Sequence, residues 1–185
     1  MKQTHSNLLK AIAGESMARN KYTYYADVAK KEGFYWIATV FEETADNERA
    51  HAKEELEKLP ATTEMTNSYD IHPLGTTLEN LKNAAGGENY EFTSMYPEFE
   101  KAARDEGEAE IAFFFKLAAE IEKKHAERFN ILADRLEQGT LYKNEEETEW
   151  KCLNCGHIHK GKSAPTKCPF CQKPQGFFKG LGVVR

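Results

Sequence analysis

The motif Glu-x-x-His occurs twice in this chain of 185 residues, as Glu48-Arg-Ala-His51 and as Glu122-Lys-Lys-His125. Residues three apart on a helix lie on the same face, one turn apart, so each motif directs a carboxylate and an imidazole toward one point. That is half of a metal site. Either motif alone is weak, because the chain is rich in Glu and such pairs are common on solvated helices.

The segments that precede the two motifs strengthen the prediction of a metal site. Each follows a helical segment that carries Glu on its inward face, Glu15 before the first motif and Glu88 with Glu91 before the second. The order Glu, then Glu-x-x-His, written twice along four helices is typical of the di-metal carboxylate sites of ferritin-like bundles. The sequence therefore predicts four helices that converge on one metal centre.

Four helices are also predicted from the spacing of apolar residues. They are expected at residues 4–31, 35–59, from 76 onward, and 108–138. Gly33 and Gly139 are placed to end the first and the last helix, and Thr76 with Glu79 forms a capping box that opens the third. Residues 60–75 lose the helical period and are predicted as a long crossover, which leaves the second and third helices parallel.

The third helix contains residues that helices tolerate poorly. Gly86 and Gly87 each cost about 1 kcal/mol relative to Ala, and Pro97 removes a backbone hydrogen bond. Two interpretations are open. The segment is either two shorter helices or, as we favour, one helix whose irregularity helps Glu88 and Glu91 to move.

The fourth helix is expected to bury one apolar stripe. We interpret the aromatic residues of this stripe as core. The expected stripe consists of Phe113, Phe114, Leu117, Ile121, Phe129 and Leu132.

Charge and hydropathy exclude some classes of partner. The net charge of −5 and the isoelectric point near 5.8 argue against a nucleic-acid-binding surface. No apolar run approaches the roughly 18 residues of a membrane span, and the first residues lack the apolar region of a signal peptide. We therefore expect a cytoplasmic protein with no nucleic-acid or membrane partner.

All four cysteines fall in two Cys-x-x-Cys pairs, Cys152 with Cys155 and Cys168 with Cys171. In a reducing compartment this usage indicates metal ligation, and four thiolates can close a tetrahedral site. The ligand set admits two metals. Zinc would make the unit a structural ribbon, whereas iron would make it a one-electron carrier.

The composition divides the chain into three parts. Residues 1–139 are predicted as the helical bundle, residues 140–149 as an acidic linker, and residues 150–185 as a small loop-rich unit with short β-strands. A bundle of this size can bury its own core, whereas the last 36 residues cannot do so without help. The fold class is thus expected to be mainly α.

These motifs together resemble those of the rubrerythrins over nearly the whole chain. The resemblance rests on Glu15, Glu48-x-x-His51, Glu88-x-x-Glu91, Glu122-x-x-His125 and the two cysteine pairs. It implies a ferritin-like four-helix bundle followed by a small rubredoxin-like, metal-stapled β/loop domain.

The resemblance also implies the cofactors, namely two iron ions in the bundle and one iron at the cysteines. In rubrerythrins one iron exchanges a Glu ligand for a His on reduction, and the matching positions here are Glu91 and His51. Tyr22 and Tyr96 match family tyrosines that hydrogen-bond ligand carboxylates. The charge count agrees, because two divalent cations nearly balance the five buried carboxylates of the predicted site.

The activity implied by the resemblance is that of a peroxidase, which reduces hydrogen peroxide to water and protects against oxidative stress. Electrons would come from NAD(P)H through a separate reductase or rubredoxin, since the chain has no dinucleotide-binding motif. The predicted linker is long enough to place the cysteine unit beside a second bundle, and we expect a head-to-tail homodimer, although the same linker also permits folding back along its own bundle. Two alternatives stay open, a ferritin-like protein for iron oxidation and storage, and a zinc-ribbon adaptor on a helical platform.

Overall fold

Apolar residues at three- and four-residue spacing form the helices that make up most of this computed structural model, which describes residues 2–62 and 64–183. The described helices are α1 (Gln3–Lys31), α2 (Tyr35–Glu57), α3 (Thr77–Tyr90), α4 (Tyr96–Asp105) and α5 (Ala109–Glu137). The strands are β1 (Lys143–Cys152), β2 (Ile158–Ser163) and β3 (Phe178–Gly180). The predicted mainly α class is confirmed. Within the described ranges, no helix is long and apolar enough to cross a membrane.

The third predicted helix is one continuous but irregular helix. A π-helical segment, Glu91–Met95, joins α3 directly to α4. Pro97 lies in the first turn of α4 and cannot donate the backbone hydrogen bond that would hold a regular turn, which explains the position of the irregularity. Gly86, by contrast, lies within regular α3. The continuity that we favoured is confirmed, and the mobility of the segment stays a prediction.

The helix ends show how the bundle is arranged. Gly33 and Gly139 adopt positive φ angles of 85° and 66° just beyond α1 and α5, as predicted. The Glu32 carboxylate accepts a hydrogen bond from the backbone N–H of Thr77 at 3.1 Å, so α3 begins beside the hairpin that joins α1 to α2. The second and third helices therefore run parallel, as the predicted crossover requires. The helix α2 ends at Glu57, two residues earlier than expected.

The apolar core of the bundle consists of two separate clusters. One includes Tyr22, Phe41 and Phe129 and extends into the C-terminal unit. The other includes Tyr96 and Phe115. A layer of buried polar side chains lies between the two clusters, because α1 and α5 place glutamates between the alanines that belong to each.

The predicted apolar stripe of α5 is partly wrong. Phe129 and Leu132 are fully buried, but Phe113, Leu117 and Ile121 are exposed by 57%, 41% and 42%. The buried face of α5 includes Glu122 and His125. Residues seven positions before or after these two therefore also point into the bundle. The core residues of this face are Ala112, Phe115, Ala118, Ala126, Phe129, Leu132 and Ala133.

The C-terminal unit is a three-stranded antiparallel sheet of order β2-β1-β3 with two cysteine loops. Residues 143–149, predicted as part of a linker, belong to β1, where Glu149 pairs with Lys160. The unit rests on the hairpin end of the bundle. The ring of Phe177 stacks on Tyr35, and a Cβ atom at Gly176 would lie 1.8 Å from the carbonyl oxygen of Gly33.

Candidate metal centres

Six of the seven predicted bundle ligands come together in the polar layer. They form two overlapping groups, in each of which the potential ligand atoms lie within 4.8 Å of one another. The groups are Glu15, Glu48, His51 and Glu122, and Glu48, Glu88, Glu122 and His125. Glu48 and Glu122 belong to both groups, which is the arrangement expected of carboxylates that bridge two cations.

The shared carboxylates lie between the two imidazoles. The Oε1 atom of Glu122 is 3.0 Å from His51 Nδ1, and its Oε2 atom is 2.7 Å from His125 Nδ1. Glu48 repeats the pattern, at 3.0 Å from His51 and 3.3 Å from His125. The two imidazole rings lie 5.9 Å apart with an angle of 21° between their planes. The site therefore has two halves joined by two glutamates.

Many ligand atoms of this layer are buried without a hydrogen-bond partner. These atoms are Glu15 Oε2, both oxygens of Glu48 and of Glu122, Glu88 Oε2, and the Nδ1 atoms of His51 and His125. Buried polar atoms normally have partners, and such a concentration of orphaned acceptors fits cations. Carboxylates and imidazoles are donors that iron accepts, so these residues fit the two iron ions.

Electrostatics in the absence of cations leads to the same conclusion. Burial raises the pKa of Glu15 to about 8 and that of Glu88 to about 7. Burial lowers the pKa of His125, but the adjacent carboxylates, Glu122 first, outweigh it and raise the pKa to about 12. The same balance raises the pKa of His51. Without cations, protons bound to these carboxyl and imidazole groups thus reduce the negative charge of the layer. Bound cations would replace these protons.

The predicted tyrosines each contact one unshared glutamate. Tyr22 on α1 donates a hydrogen bond to Glu88 on α3, and Tyr96 on α4 donates one to Glu15 on α1. Both tyrosines are at most 1% exposed. The contacts agree with the prediction that these residues orient ligand carboxylates.

The two halves are related by an internal repeat. The spacing is 74 residues from Glu48 to Glu122, and also from His51 to His125 and from Tyr22 to Tyr96. From Glu15 to Glu88 it is 73 residues. The π-helical segment lies between Glu88 and Tyr96 and supplies the additional residue that keeps Tyr96 in register. The repeat gives the site an approximate twofold symmetry.

Glu91, the seventh predicted ligand, belongs to neither group. It is the first residue of the π-helical segment and is partly exposed. Although part of the residue is exposed, burial of its carboxyl group and the charges of Glu15 and Glu88 raise its pKa well above the ordinary value. The histidine of the predicted exchange pair, His51, is among the grouped residues and Glu91 is not, and the exchange itself stays a prediction.

Sequence reasoning missed one buried carboxyl group, that of Glu55. It is 0% exposed, and its Oε1 atom lies 2.9 Å from the hydroxyl oxygen of Tyr96. Helical spacing could have revealed it, because Glu55 follows Glu48 by seven residues and so lies on the same face of α2.

The four cysteines form the second centre. Cys152 Sγ lies 3.7 Å from Cys171 Sγ, and Cys155 Sγ lies 3.6 Å from Cys168 Sγ. These distances exceed the roughly 2 Å of a disulfide and match the edge of about 3.8 Å of a tetrahedron with metal–sulfur bonds of about 2.3 Å. The four thiols fit one tetrahedral ion.

The two cysteine loops have the same backbone design. Cys152 accepts a hydrogen bond from the N–H of Gly156, and Cys168 accepts one from the N–H of Gln172. Gly156 and Gln172 both adopt positive φ angles, of 78° and 62°. The matching loops bring two thiols each to opposite sides of the ion.

Comparison with known proteins agrees with this anatomy. The family model described as rubrerythrin matches residues 6–133, and the model described as the rubredoxin-like domain of rubrerythrin matches residues 150–179. Rubrerythrin-1 of Clostridium acetobutylicum is 45% identical over 97% of this chain and 94% of its own length. The rubrerythrin of Porphyromonas gingivalis is 44% identical over 97% of this chain and 90% of its own.

A solved structure of nigerythrin in a mixed-valence state is similar to the chain at a TM-score of 0.65. It is 34% identical, with coverage of 96% of this chain and 86% of that one. Another structure with the same values is of fully reduced, all-ferrous nigerythrin. Family, fold and both donor sets thus agree on two iron sites in the bundle and one at the cysteines. The chain is a member of the rubrerythrin family.

Proposed function

We propose that the protein is a non-haem di-iron peroxidase that reduces hydrogen peroxide to water and so protects the cell against oxidative stress. The observation that carries the proposal is the presence, in one chain, of a buried site for two cations and a four-thiol site for one. Iron bound there would supply two electrons in the bundle and one at the cysteines, and peroxide reduction, H2O2 + 2 H+ + 2 e− → 2 H2O, consumes two. The six grouped bundle residues would be the iron ligands, and Glu91 would be the exchanging one.

The protein groups around the bundle site would control access to it. Glu15, Glu48 and Glu122 are at most 1% exposed, whereas the side chains of His51 and His125 are 15% and 7% exposed. Access is therefore from the side of α2 and α5. A surface cavity of about 420 Å³ reaches His125 there, and we assign it as the peroxide entrance.

Tyr22 and Tyr96 would hold hydrogens beside the reacting centre. Burial and the nearby carboxylates raise the pKa of both tyrosines well above the ordinary value, so the phenols stay protonated. Each hydroxyl fixes one oxygen of Glu88 or Glu15 and leaves the other oxygen to face the centre. The two glutamates are thus oriented before a metal binds.

Electrons would enter at the cysteine site from an external NAD(P)H-linked reductase or a rubredoxin. Cys155 and Cys171 are partly exposed, and Phe170 between the second pair of cysteines is 78% exposed, so a donor can approach this edge closely. The cysteines must stay reduced to bind metal, which supports a cytoplasmic location.

We further propose a head-to-tail homodimer. Within one chain the cysteine unit rests on Tyr35, and Glu48 lies 13 residues further along α2, about 20 Å away at 1.5 Å per residue. A second copy could bring the two sites closer, and charge would favour such a contact. Residues 150–185 contain six Lys, one Arg and no acidic residue, whereas residues 1–149 contain 18 of the 25 basic and all 30 acidic residues, a formal charge of −12. The basic unit of one copy would then lie beside the acidic bundle of the other.

The peroxidase proposal is tested by metal analysis, visible spectroscopy and turnover of anaerobically purified protein. We expect three iron ions per chain, a red colour from ferric thiolate, and peroxide consumption with a reduced donor. A colourless zinc protein without turnover would favour the ribbon adaptor. Uptake of many iron ions per chain without peroxide turnover would favour iron storage.

The homodimer is tested by mixing two inactive variants. One carries Glu48→Ala with Glu122→Ala and so lacks the bundle site, and the other carries Cys155→Ser. Subunit exchange should restore turnover, because the intact cysteine site of the first serves the intact bundle site of the second. If mixed samples stay inactive although exchange is confirmed by mass spectrometry, electron transfer is within one chain.

A further inference from the structure

The approximate twofold symmetry of the bundle site is broken at Glu55. The repeat of 74 residues relates Glu55 to Phe129. Phe129 packs against Tyr22, with ring centroids 5.3 Å apart, whereas Glu55 contacts the hydroxyl of Tyr96. Among the described residues, therefore, an additional carboxyl group contacts the tyrosine hydroxyl only in the half of the site that contains Glu15.

The hydrogens at this position can be counted. The hydroxyl oxygen of Tyr96 lies within hydrogen-bond distance of one oxygen of Glu15 and one oxygen of Glu55, the latter at 2.9 Å. A phenol has one hydrogen to donate. If Glu15 is ionised in order to bind a cation, the tyrosine donates to Glu15, and the contact with Glu55 requires a hydrogen on Glu55.

The burial of Glu55 also requires that its carboxyl group be protonated. Glu55 is fully buried, its Oε2 atom has no hydrogen-bond partner, and no basic side chain of the described residues forms an ion pair with it. An unpaired carboxylate in such a position would cost several kcal/mol, which protonation avoids. Burial and the charge of Glu15 raise the pKa of Glu55 to about 9 and outweigh the Tyr96 hydroxyl and the charge of His51, which lower it.

We propose that Glu55 is a positioning residue that, as a neutral acid, donates a hydrogen bond to Tyr96 and thereby directs the tyrosine hydroxyl at Glu15. The chain of contacts Glu55, Tyr96, Glu15 then sets the orientation and basicity of one unshared ligand, while the Tyr22 and Glu88 pair has no such support. The two halves of the site would consequently bind metal unequally. The inference rests on the metal-binding role of Glu15 and does not require the peroxidase activity.

Three variants test the proposal. Glu55→Gln keeps the shape and can still donate a hydrogen to Tyr96, Glu55→Leu removes the polar contact, and Glu54→Gln changes the exposed neighbour as a control. Anaerobic titration with ferrous iron should show one of the two bundle affinities weakened by about 10–100-fold in Glu55→Leu, the usual effect of losing a partner of a metal ligand. Glu55→Gln and Glu54→Gln should stay close to the parent. Equal losses in the Gln and Leu variants would mean that Glu55 acts as an anion and would overturn the proposal.

A second measurement does not depend on iron affinity or on turnover. The difference between the infrared spectra of the iron-loaded parent and of iron-loaded Glu55→Gln should contain a carbonyl band of a protonated carboxyl group that shifts in D2O. The same band should be retained in iron-loaded Glu54→Gln. Its absence from the iron-loaded parent would refute a neutral Glu55 even if the Leu variant failed to fold. Lack of peroxide turnover, by contrast, would refute only the peroxidase.

Discussion

The aromatic rings of Tyr35 and Phe177 stack with their centroids 3.8 Å apart and their planes at 22°. Tyr35 is the first residue of α2, and the carbonyl of Phe177 accepts a hydrogen bond from Leu153, the residue after Cys152. This contact therefore ties a cysteine loop to the hairpin end of the bundle. It places the cysteine site at a defined end of its own bundle, remote from the ligands of that bundle.

We predict that Tyr35→Ala loosens the C-terminal unit and leaves the bundle intact. Loss of the ring contact removes about 1 kcal/mol, which lowers the melting temperature of so small a unit by roughly 10 °C, since the unfolding entropy is about 2.1 cal/mol/K per residue. The measurement is thermal loss of the thiolate absorption band, compared with loss of helical circular dichroism. Tyr24→Ala, at a 53% exposed tyrosine of α1, is the control and should change neither. Coincident, unshifted transitions in Tyr35→Ala would show that the contact contributes nothing.

A second prediction concerns Glu106, which caps α1 from the turn between α4 and α5. Its carboxylate accepts hydrogen bonds from the backbone N–H groups of Gln3 and Thr4, both at 2.8 Å, while Lys2 at the N-cap position makes no capping bond. Hydrogen bonds from Thr4 and Gln3 lower the pKa of Glu106 to about 2. Its stabilising effect should be complete above pH of about 4.5 and should disappear as the pH falls toward 2.

Glu106→Gln should therefore be less stable than the parent at pH 7, and the difference in unfolding free energy should shrink between pH 4.5 and 2. Denaturant titrations of both proteins at several pH values measure it. Glu110→Gln, at an exposed residue of the first turn of α5, controls for the loss of one negative charge. A difference that is independent of pH would argue against the cap.

A third prediction is that Glu91→Ala folds and binds iron but turns over peroxide poorly. Glu91 lies outside both ligand groups, so its loss leaves six ligands in place, whereas the oxidised centre loses a negative ligand that would balance its charge. Iron content and steady-state peroxide consumption are the measurements. Glu98→Ala, at an exposed residue of α4, should behave like the parent. Parent-like turnover in Glu91→Ala would remove this residue from the mechanism.

A fourth prediction separates the two centres kinetically. Cys155→Ser should spare the single reaction of the pre-reduced bundle with peroxide and stop steady-state turnover, because the carrier that refills the bundle is gone. Stopped-flow and steady-state assays on one preparation distinguish the two steps. Thr166→Ala, at an exposed residue near the second cysteine pair, is the control. Unchanged steady-state rates in Cys155→Ser would show that donors reach the bundle directly.

Residues with strict spacing rules could be predicted from the sequence. The two Glu-x-x-His motifs and the cysteine pairs indicated their sites because helix geometry and thiol chemistry leave few other uses for such spacing. The capping box at Thr76 and the glycines that follow α1 and α5 were predicted for the same reason, and the structure contains all of them.

Features that depend on packing were not predictable in this way. Ile121 is exposed although Glu122 beside it is buried, because the direction in which α5 faces is fixed by the metal ligands rather than by hydropathy. Glu55 was overlooked because glutamates are frequent on this helix, so its spacing of seven residues from Glu48 is a weak signal. The π-helical segment arises from the combination of Pro97 with the need to keep Tyr96 in register, which only the contacts of Tyr96 reveal.

The division of the bundle core into two clusters has a consequence for the lifetime of the protein. With cations in the polar layer, the clusters of Phe41 and Phe115 are joined by a neutralised centre and should unfold together. Without them, a layer of protonated and charged groups separates two unequal cores, each of which can open alone. Amide hydrogens beside the two clusters should then exchange at different rates. The supply of iron would thus determine how long the folded chain survives proteolysis, and cellular abundance would follow iron availability.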